Sequence, residues 1–233
     1  MGASCSTCSV SCAKNRLPAF SAAMQRDESE ERFVHRLEAF SDIVIGFSLA
    51  QLGLSLTIPS HAIDLFVHVK GARSLLALAI TFLLICAVWW SHHRLFRHAF
   101  VPTPVNIFAN FAALGGVIFL AYSMQVLMHV GIFDRIAYAM YTGSYAWILS
   151  LFAFLWWNGI RLRGDQLRGP LRTATVRHAV RATIIALWLV IMTILALRVG
   201  TQTTVNELML IVLVLAFATQ RVVMRRFTNS AHS

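Results

Sequence analysis

The sequence predicts an all-α, polytopic membrane protein of six transmembrane helices with the N- and C-termini in the cytoplasm. Three observations lead there. Of the 233 residues, 58% are hydrophobic and only 13% charged, at a mean hydropathy of +0.67, whereas a soluble globular chain carries about 45–50% apolar and roughly 25% charged residues. The apolar residues gather in six near-continuous stretches, each long enough for the ~20 helical residues that cross ~30 Å of hydrocarbon. The basic residues lie unevenly between the connections, as a membrane topology demands. Soluble enzymes and soluble nucleic-acid binders are disfavoured from the outset, and the net charge of +10 needs no nucleic acid once the basic residues are placed beside the spans.

The six stretches are Phe40–Pro59, Ala72–Ser91, Ile107–Val130, Tyr138–Ile160, Val180–Val199 and Val205–Val223. They are continuous rather than alternating, which points to helices, whose backbone polar groups are satisfied internally, and not to a barrel. The connections are short and hold most of the Pro, Arg and His. The expected organisation is a disordered cytoplasmic tail over 1–35, one six-helix domain over 36–226 and a short C-terminal tail over 227–233. With the N-terminus inside, only Lys70, Arg73, Arg135 and Arg198 of the twenty Lys and Arg residues fall on the outer side. That imbalance is the positive-inside signature of an even number of spans. The largest inner group, Arg161 to Arg181, also suits anionic lipid headgroups.

In the tail, Met1-Gly2 with Ser6 fits an acylation pattern, and Cys5, Cys8 and Cys12 have metal-like spacing but lack a fourth ligand. A disordered segment, with Met24 as an alternative start, explains both equally well. The alternating acids and bases of 26–36 read as a solvated helical lead-in to the first span. The fourth cysteine, Cys86, sits inside an apolar stretch, so nothing calls for disulfides.

Charge inside a span costs about 2.5–3.5 kcal/mol at the bilayer centre on insertion scales, so an intramembrane acid marks a place where protein, water or a partner charge receives it. Two acids qualify: Asp42 near the inner end of the first span and Glu207 at the outer end of the sixth. Asp42 could also serve only the helix N-terminal dipole. Its surroundings are more specific. The string Arg36-Leu37-Glu38-Ala39-Phe40-Ser41-Asp42 reads Arg-x-x-x-Phe-Ser-Asp, and Trp90-Ser91-His92-His93 at the inner end of the second span reads Trp-x-x-His.

These two motifs resemble those of the transmembrane protein 175 family of potassium channels in its prokaryotic, single-repeat form. The resemblance is sharp over about 36–59 and 86–110 and elsewhere rests on hydropathy. It implies a homotetramer in which four copies of the first helix surround a pore for potassium ions, embedded in the lipid bilayer of a prokaryotic plasma (inner) membrane. It also implies a packing and hydrogen-bond network of Arg36, Phe40, Ser41, Asp42, Trp90 and His93. Arg36 and Asp42 are six residues apart and do not share a helix face, so their partners belong to other helices or subunits.

The resemblance further implies that bulky apolar rings on the first helix, not backbone carbonyls, close the pore. Counted from the motif acid, the constriction falls at Phe47 and continues through Ala50 and Leu54. Relatives commonly carry Ile or Leu at the first place and Thr where this chain has Ala50, so the chain departs from the pattern where selectivity is decided. Read without the family, the helix offers a second face. Ser41, Ser48, Gln51 and Ser55 recur at spacings of seven, three and four, and Ser48, Gln51 and Ser55 could line a conduit or bond to neighbouring helices. Gly46, Ala50 and Gly53 form a third face suited to close backbone approach.

The other polar features are less pointed. His92, His93 and His98 cluster near the inner surface, but no spacing makes them converge on zinc, and neither metal nor cofactor is expected. The tryptophans, among them Trp89, Trp90, Trp147, Trp156 and Trp157, fall toward span ends as interface anchors do. No Gly-x4-Gly-Lys, Gly-x-Ser-x-Gly or His-Glu-x-x-His string is present, and the two buried acids face opposite membrane surfaces, so catalysis has no footing. The competing readings are a secondary or proton-coupled transporter, which would need broken helices or an internal repeat, and a non-conducting membrane scaffold.

Overall fold

The structure, a computed structural model, describes residues 16–54, 69–131, 134–164 and 169–198. All regular structure among them is helical: α1 (Arg16–Leu54), α2 (Val69–His98), α3 (Pro104–Val130), α4 (Arg135–Leu162) and α5 (Pro170–Arg198). Each contains a stretch long and apolar enough to cross a membrane: Glu28–Leu54, Leu75–His98, Pro104–Val130, Arg135–Leu162 and Leu171–Arg198. The sixth expected span, Val205–Val223, lies outside the described residues, as do the cysteines of the tail, Ser55 and Glu207.

The helices outrun the apolar stretches that announce them. α2 continues past Ser91 through His92, Arg94 and Arg97 to His98, and α5 begins at Pro170, ten residues before the apolar run. Hydropathy marks only the part of a helix that lipid surrounds, while the backbone ladder continues through the headgroup layer until a cap or proline ends it. Such punctuation is visible in α3 and α4. Thr103 caps α3, its Oγ1 accepting from the Asn106 backbone N–H, with Pro104 in the first turn; Asp134 caps α4, accepting from the Ala137 N–H at 2.7 Å.

The chain divides into two compact units, Met1–Phe40 and Ser41–Ser233. In the first, the chain is helical from Arg16 onward. The charged lead-in makes this reasonable: long, flexible side chains such as Glu and Arg favour helix, and Arg32 Nε donates to the Glu28 carbonyl one turn back at 3.2 Å.

In the second unit α4 is the central element, packed along both α3 and α5. Neighbouring helices are antiparallel, as the cross-helix bonds record. Asn158 Nδ2 donates to Asn106 Oδ1 (2.6 Å) at one end of the α3–α4 pair, and the Ser123 and Ser144 hydroxyls meet (3.3 Å) further along it. On the other flank, Trp157 Nε1 donates to Thr183 Oγ1 (3.0 Å) and Thr193 Oγ1 to Thr142 Oγ1 (3.1 Å). The Thr81 and Tyr141 hydroxyls join α2 to α4 at 3.0 Å. Lipid supplies no hydrophobic drive between helices, so close packing and such bonds hold the bundle together.

Two glycines show how close the packing is. A Cβ on Gly116 of α3 would lie 2.8 Å from Ile148 Cγ1 and 2.9 Å from Trp147 Cδ1 of α4, and one on Gly159 would run into the Ala99 carbonyl oxygen at the α2–α3 corner. Trp147 uses the proximity, its indole N–H donating to the Ala112 carbonyl at 3.1 Å. Trp156 is buried and stacks on His178 at 5.3 Å. Neither therefore behaves as a simple interface anchor. We expect Gly159→Val to lower the thermal midpoint of the detergent-solubilised protein, because overpacking against backbone costs about 1–3 kcal/mol. Gly115→Ala, with open space around its Cβ, should leave that midpoint unchanged in the same fluorescence-detected melt.

Candidate functional site

The second unit contains α1 from Ser41 to Leu54. The buried positions of that stretch are Ser41, Ile45, Ser48 and Leu52, spaced four, three and four, so one stripe of the helix faces the other helices. The opposite stripe, Ile43, Phe47, Ala50 and Leu54, has the same spacing and is exposed in the protomer. Phe47 is 70% and Leu54 87% exposed. Gln51 is half-buried at the border. The polar face suggested by the sequence is thus divided: Ser48 points inward, its hydroxyl donating to the Val44 carbonyl at 2.9 Å, while Gln51 stands between the two stripes.

Ser41 and Asp42 tie α1 to its neighbours. Asn110 of α3 donates from Nδ2 to Ser41 Oγ (3.3 Å) and turns its Oδ1 to His92 Nε2 of α2 (2.9 Å). Because Asn110 spends its amide N–H on Ser41, the His92 contact is made to the carbonyl oxygen, and Nε2 is the donor. Ser41, His92 and Asn110 are all buried. Phe96 at 4.4 Å and Phe152 at 6.0 Å wall in the imidazole. Beside this chain of bonds, Trp89 Nε1 donates to Asp42 Oδ1 at 2.9 Å. Asp42 is therefore partnered by a neutral donor from α2 and does more than serve the helix dipole.

Residues 36–120, the stretch that carries both sequence motifs, match the family model described as the endosomal/lysosomal potassium channel TMEM175. Over that stretch the chain is similar to the TMEM175 family. Among solved structures, a variant of the potassium channel MtTMEM175, crystallised with a nanobody–MBP fusion, is 20% identical. The match covers 82% of this chain and 93% of that one at a TM-score of 0.64. A lysosomal potassium-selective channel TMEM175 homolog from Chamaesiphon minutus is also 20% identical, over 87% of this chain and all of that one, at a TM-score of 0.57. These likenesses establish a shared fold. No curated protein matches the chain. The matched family and structures are ion channels and not enzymes.

Within the two motifs, Trp89 holds Asp42 and His92 reaches Ser41 through Asn110, beside the expected Trp90 and His93. Trp90 carries the Arg94 guanidinium over its ring at 5.0 Å, and His93 stacks on Trp89 at 6.0 Å. The doubled Trp89-Trp90 and His92-His93 allow two registers of Trp-x-x-His, and the aliphatic periodicity of α2 runs through His92. Ile85, Val88, His92 and Leu95 form a buried stripe, which His93 would break. Asn110 was missed altogether, although its pairing with Asn106 one helical turn away, inside an apolar run, was a usable signal. Of the remaining motif residues, Arg36 and Phe40 belong to the first unit and are exposed. Among the described residues no three His, Cys, Asp or Glu side chains converge as a metal would require.

Removing Asn110 leaves two buried polar groups without this partner, which costs about 1–3 kcal/mol. Asn110→Ala should therefore lower the thermal midpoint clearly. Trp89→Phe removes one bond at an exposed site and should cost less, about 0.6 kcal/mol by the average for membrane helices. Equal shifts in a detergent melt would contradict the bonding described here.

Proposed function

We propose that the chain is a potassium-permeable cation channel: a homotetramer in which four copies of α1 gather about a common axis, with Phe47, Ala50 and Leu54 lining and constricting the passage. The observation that carries this reading is the outward stripe of α1. A span whose Ser41 and Ser48 are committed inside the protomer presents Phe47 and Leu54 to its surroundings, and copies of the same stripe can close around an axis. Potassium as the ion rests on the family description and on what the two structural relatives are named for. By the same resemblance the assembly has six spans per subunit, counting Val205–Val223, with both termini cytoplasmic, in the plasma membrane of a prokaryote.

The chemistry of such a passage differs from that of a carbonyl filter. An ion entering an apolar ring sheds water without receiving oxygen ligands, so the ring gates by excluding water. Phe47 makes this barrier broad. Ala50 supplies no hydroxyl where relatives commonly carry Thr, which weakens discrimination between potassium and sodium. Ser48, Gln51 and Ser55 as the pore face remain the competing arrangement, and Ser48 is poorly suited to it because its hydroxyl is bonded to its own helix.

Two measurements test the reading. In proteoliposomes, Phe47→Ala should raise potassium flux several-fold, Ser48→Val should leave it near that of the parent, and unchanged flux in both Phe47→Ala and Leu54→Ala would eliminate the constriction. In planar bilayers with potassium and sodium on opposite sides, unitary currents identify a channel, turnover without unitary currents a carrier, and silence a scaffold. Ala50→Thr should shift the reversal potential toward the potassium equilibrium.

A further inference from the structure

At the inner ends of α2, α4 and α5 lies a cavity of about 390 Å³ whose lining includes Trp90, Arg94, Arg97, His98, Trp156 and His178. Its make-up is unlike that of a packing defect. Two arginines and two histidines converge there, His93 adds a third imidazole, and no carboxylate is among the described residues that line it. Arg94 and Arg97 are three residues apart on α2, a spacing at which like charges on a helix repel.

The cationic groups are also held in place. Arg94 Nη1 lies 3.3 Å from His178 Nε2 of α5, so the guanidinium donates to the imidazole lone pair. The face of that guanidinium rests over the Trp90 ring at 5.0 Å. Trp156 in turn stacks on His178 at 5.3 Å, and Trp156 is fully packed in the core. Two aromatic rings and a histidine thus fix an arginine that has further N–H donors to offer, on a rigid part of the bundle. A planar, fixed guanidinium with a second arginine beside it matches the geometry of a phosphate oxyanion. The position suits such a ligand too: on the topology read from the basic residues this is the cytoplasmic end, at headgroup depth.

We propose that this cavity is a binding site for a phosphate group, with Arg94 and Arg97 as the direct ligands and His178 and Trp90 as residues that position Arg94. The ligand is the terminal phosphate monoester of an anionic membrane phospholipid or a free phosphate; both offer the same oxyanion, with no choline cation to be repelled by the two arginines. The site is independent of conduction, since its residues are separate from the outward face of α1.

The test uses the full-length protein in detergent. Its thermal midpoint is followed during titration with short-chain phosphatidic acid, with phosphatidylcholine of equal chain length, and with inorganic phosphate against chloride at matched ionic strength. We expect saturable stabilisation by phosphatidic acid and none by phosphatidylcholine. Arg94→Gln should weaken the apparent affinity at least about tenfold, as loss of a charge-assisted donor implies. Arg97→Gln should act in the same direction, Arg94→Lys should retain part of the affinity, and Arg135→Gln, at the opposite end of the bundle, should leave it intact. Equal stabilisation by inorganic phosphate assigns the site to free phosphate; stabilisation by phosphatidic acid alone assigns it to lipid. No saturable response to either, or a response that survives Arg94→Gln and Arg97→Gln together, overturns the proposal. Should Arg94→Gln fail to fold, native mass spectrometry of Arg97→Gln and Arg94→Lys reads retained phosphatidic acid directly.

Discussion

The rotation of α1 about its own axis is set by a buried chain of three polar groups, Ser41, Asn110 and His92. In water such a chain would compete with solvent and contribute modestly. At membrane depth no solvent substitutes for a lost partner, and each buried donor and acceptor must find one within the protein. A turn of α1 by one residue, about 100°, would carry Ser41 away from Asn110 and Asp42 away from Trp89. The apolar contacts of Ile45 and Leu52 alone would resist such a turn weakly, because one aliphatic side chain replaces another easily against lipid-like surroundings. Directional bonds fix what hydrophobicity leaves loose, and with Ser41 inward, Phe47 and Leu54 must point outward.

The same reasoning explains what could be read from the sequence. Hydropathy found each of the five described spans because burial in lipid is a property of composition alone. It misjudged their ends. The inner part of α2 is rich in His and Arg, and α5 opens with charged residues, so neither resembles a lipid-embedded helix although the backbone ladder continues there. Of the first motif, Ser41 and Asp42 each bond to a neighbouring helix. The second reads equally well in two registers, because it is a string of two tryptophans and two histidines. Only the phase of the flanking aliphatics, Ile85, Val88 and Leu95, separates them. Asn110 left no trace in either motif; an amide that joins two distant segments is defined by their meeting, which a linear pattern does not record.

The end of α2 divides its labour by face. His92 turns toward α3 and locks the bundle, while Trp90, Arg94 and Arg97 border the inner cavity. Consecutive residues serve different ends because successive positions on a helix lie about 100° apart. The chemistry follows the division. The inward face carries the buried His92–Asn110–Ser41 bonds, whereas the other face groups the cations of Arg94 and Arg97.

The apolar stripe of α1 has a consequence for the proposed pore that composition alone would misstate. A ring of Phe47 side chains resists ions through the water it excludes, and not through any charge, so its barrier depends on diameter far more than on the identity of the ion. Discrimination between two monovalent cations then needs a polar group that meets the partly dehydrated ion close to the ring. Ala50, one turn further along the same stripe, is where a hydroxyl would serve, and in this chain it offers only a methyl group. In the proposed pore, closure and selectivity are therefore separable properties of one helix face. The directional bonds at Ser41 and Asp42 orient both positions at once, while the side chains at 47 and 50 tune each without disturbing the bonds that hold the helix.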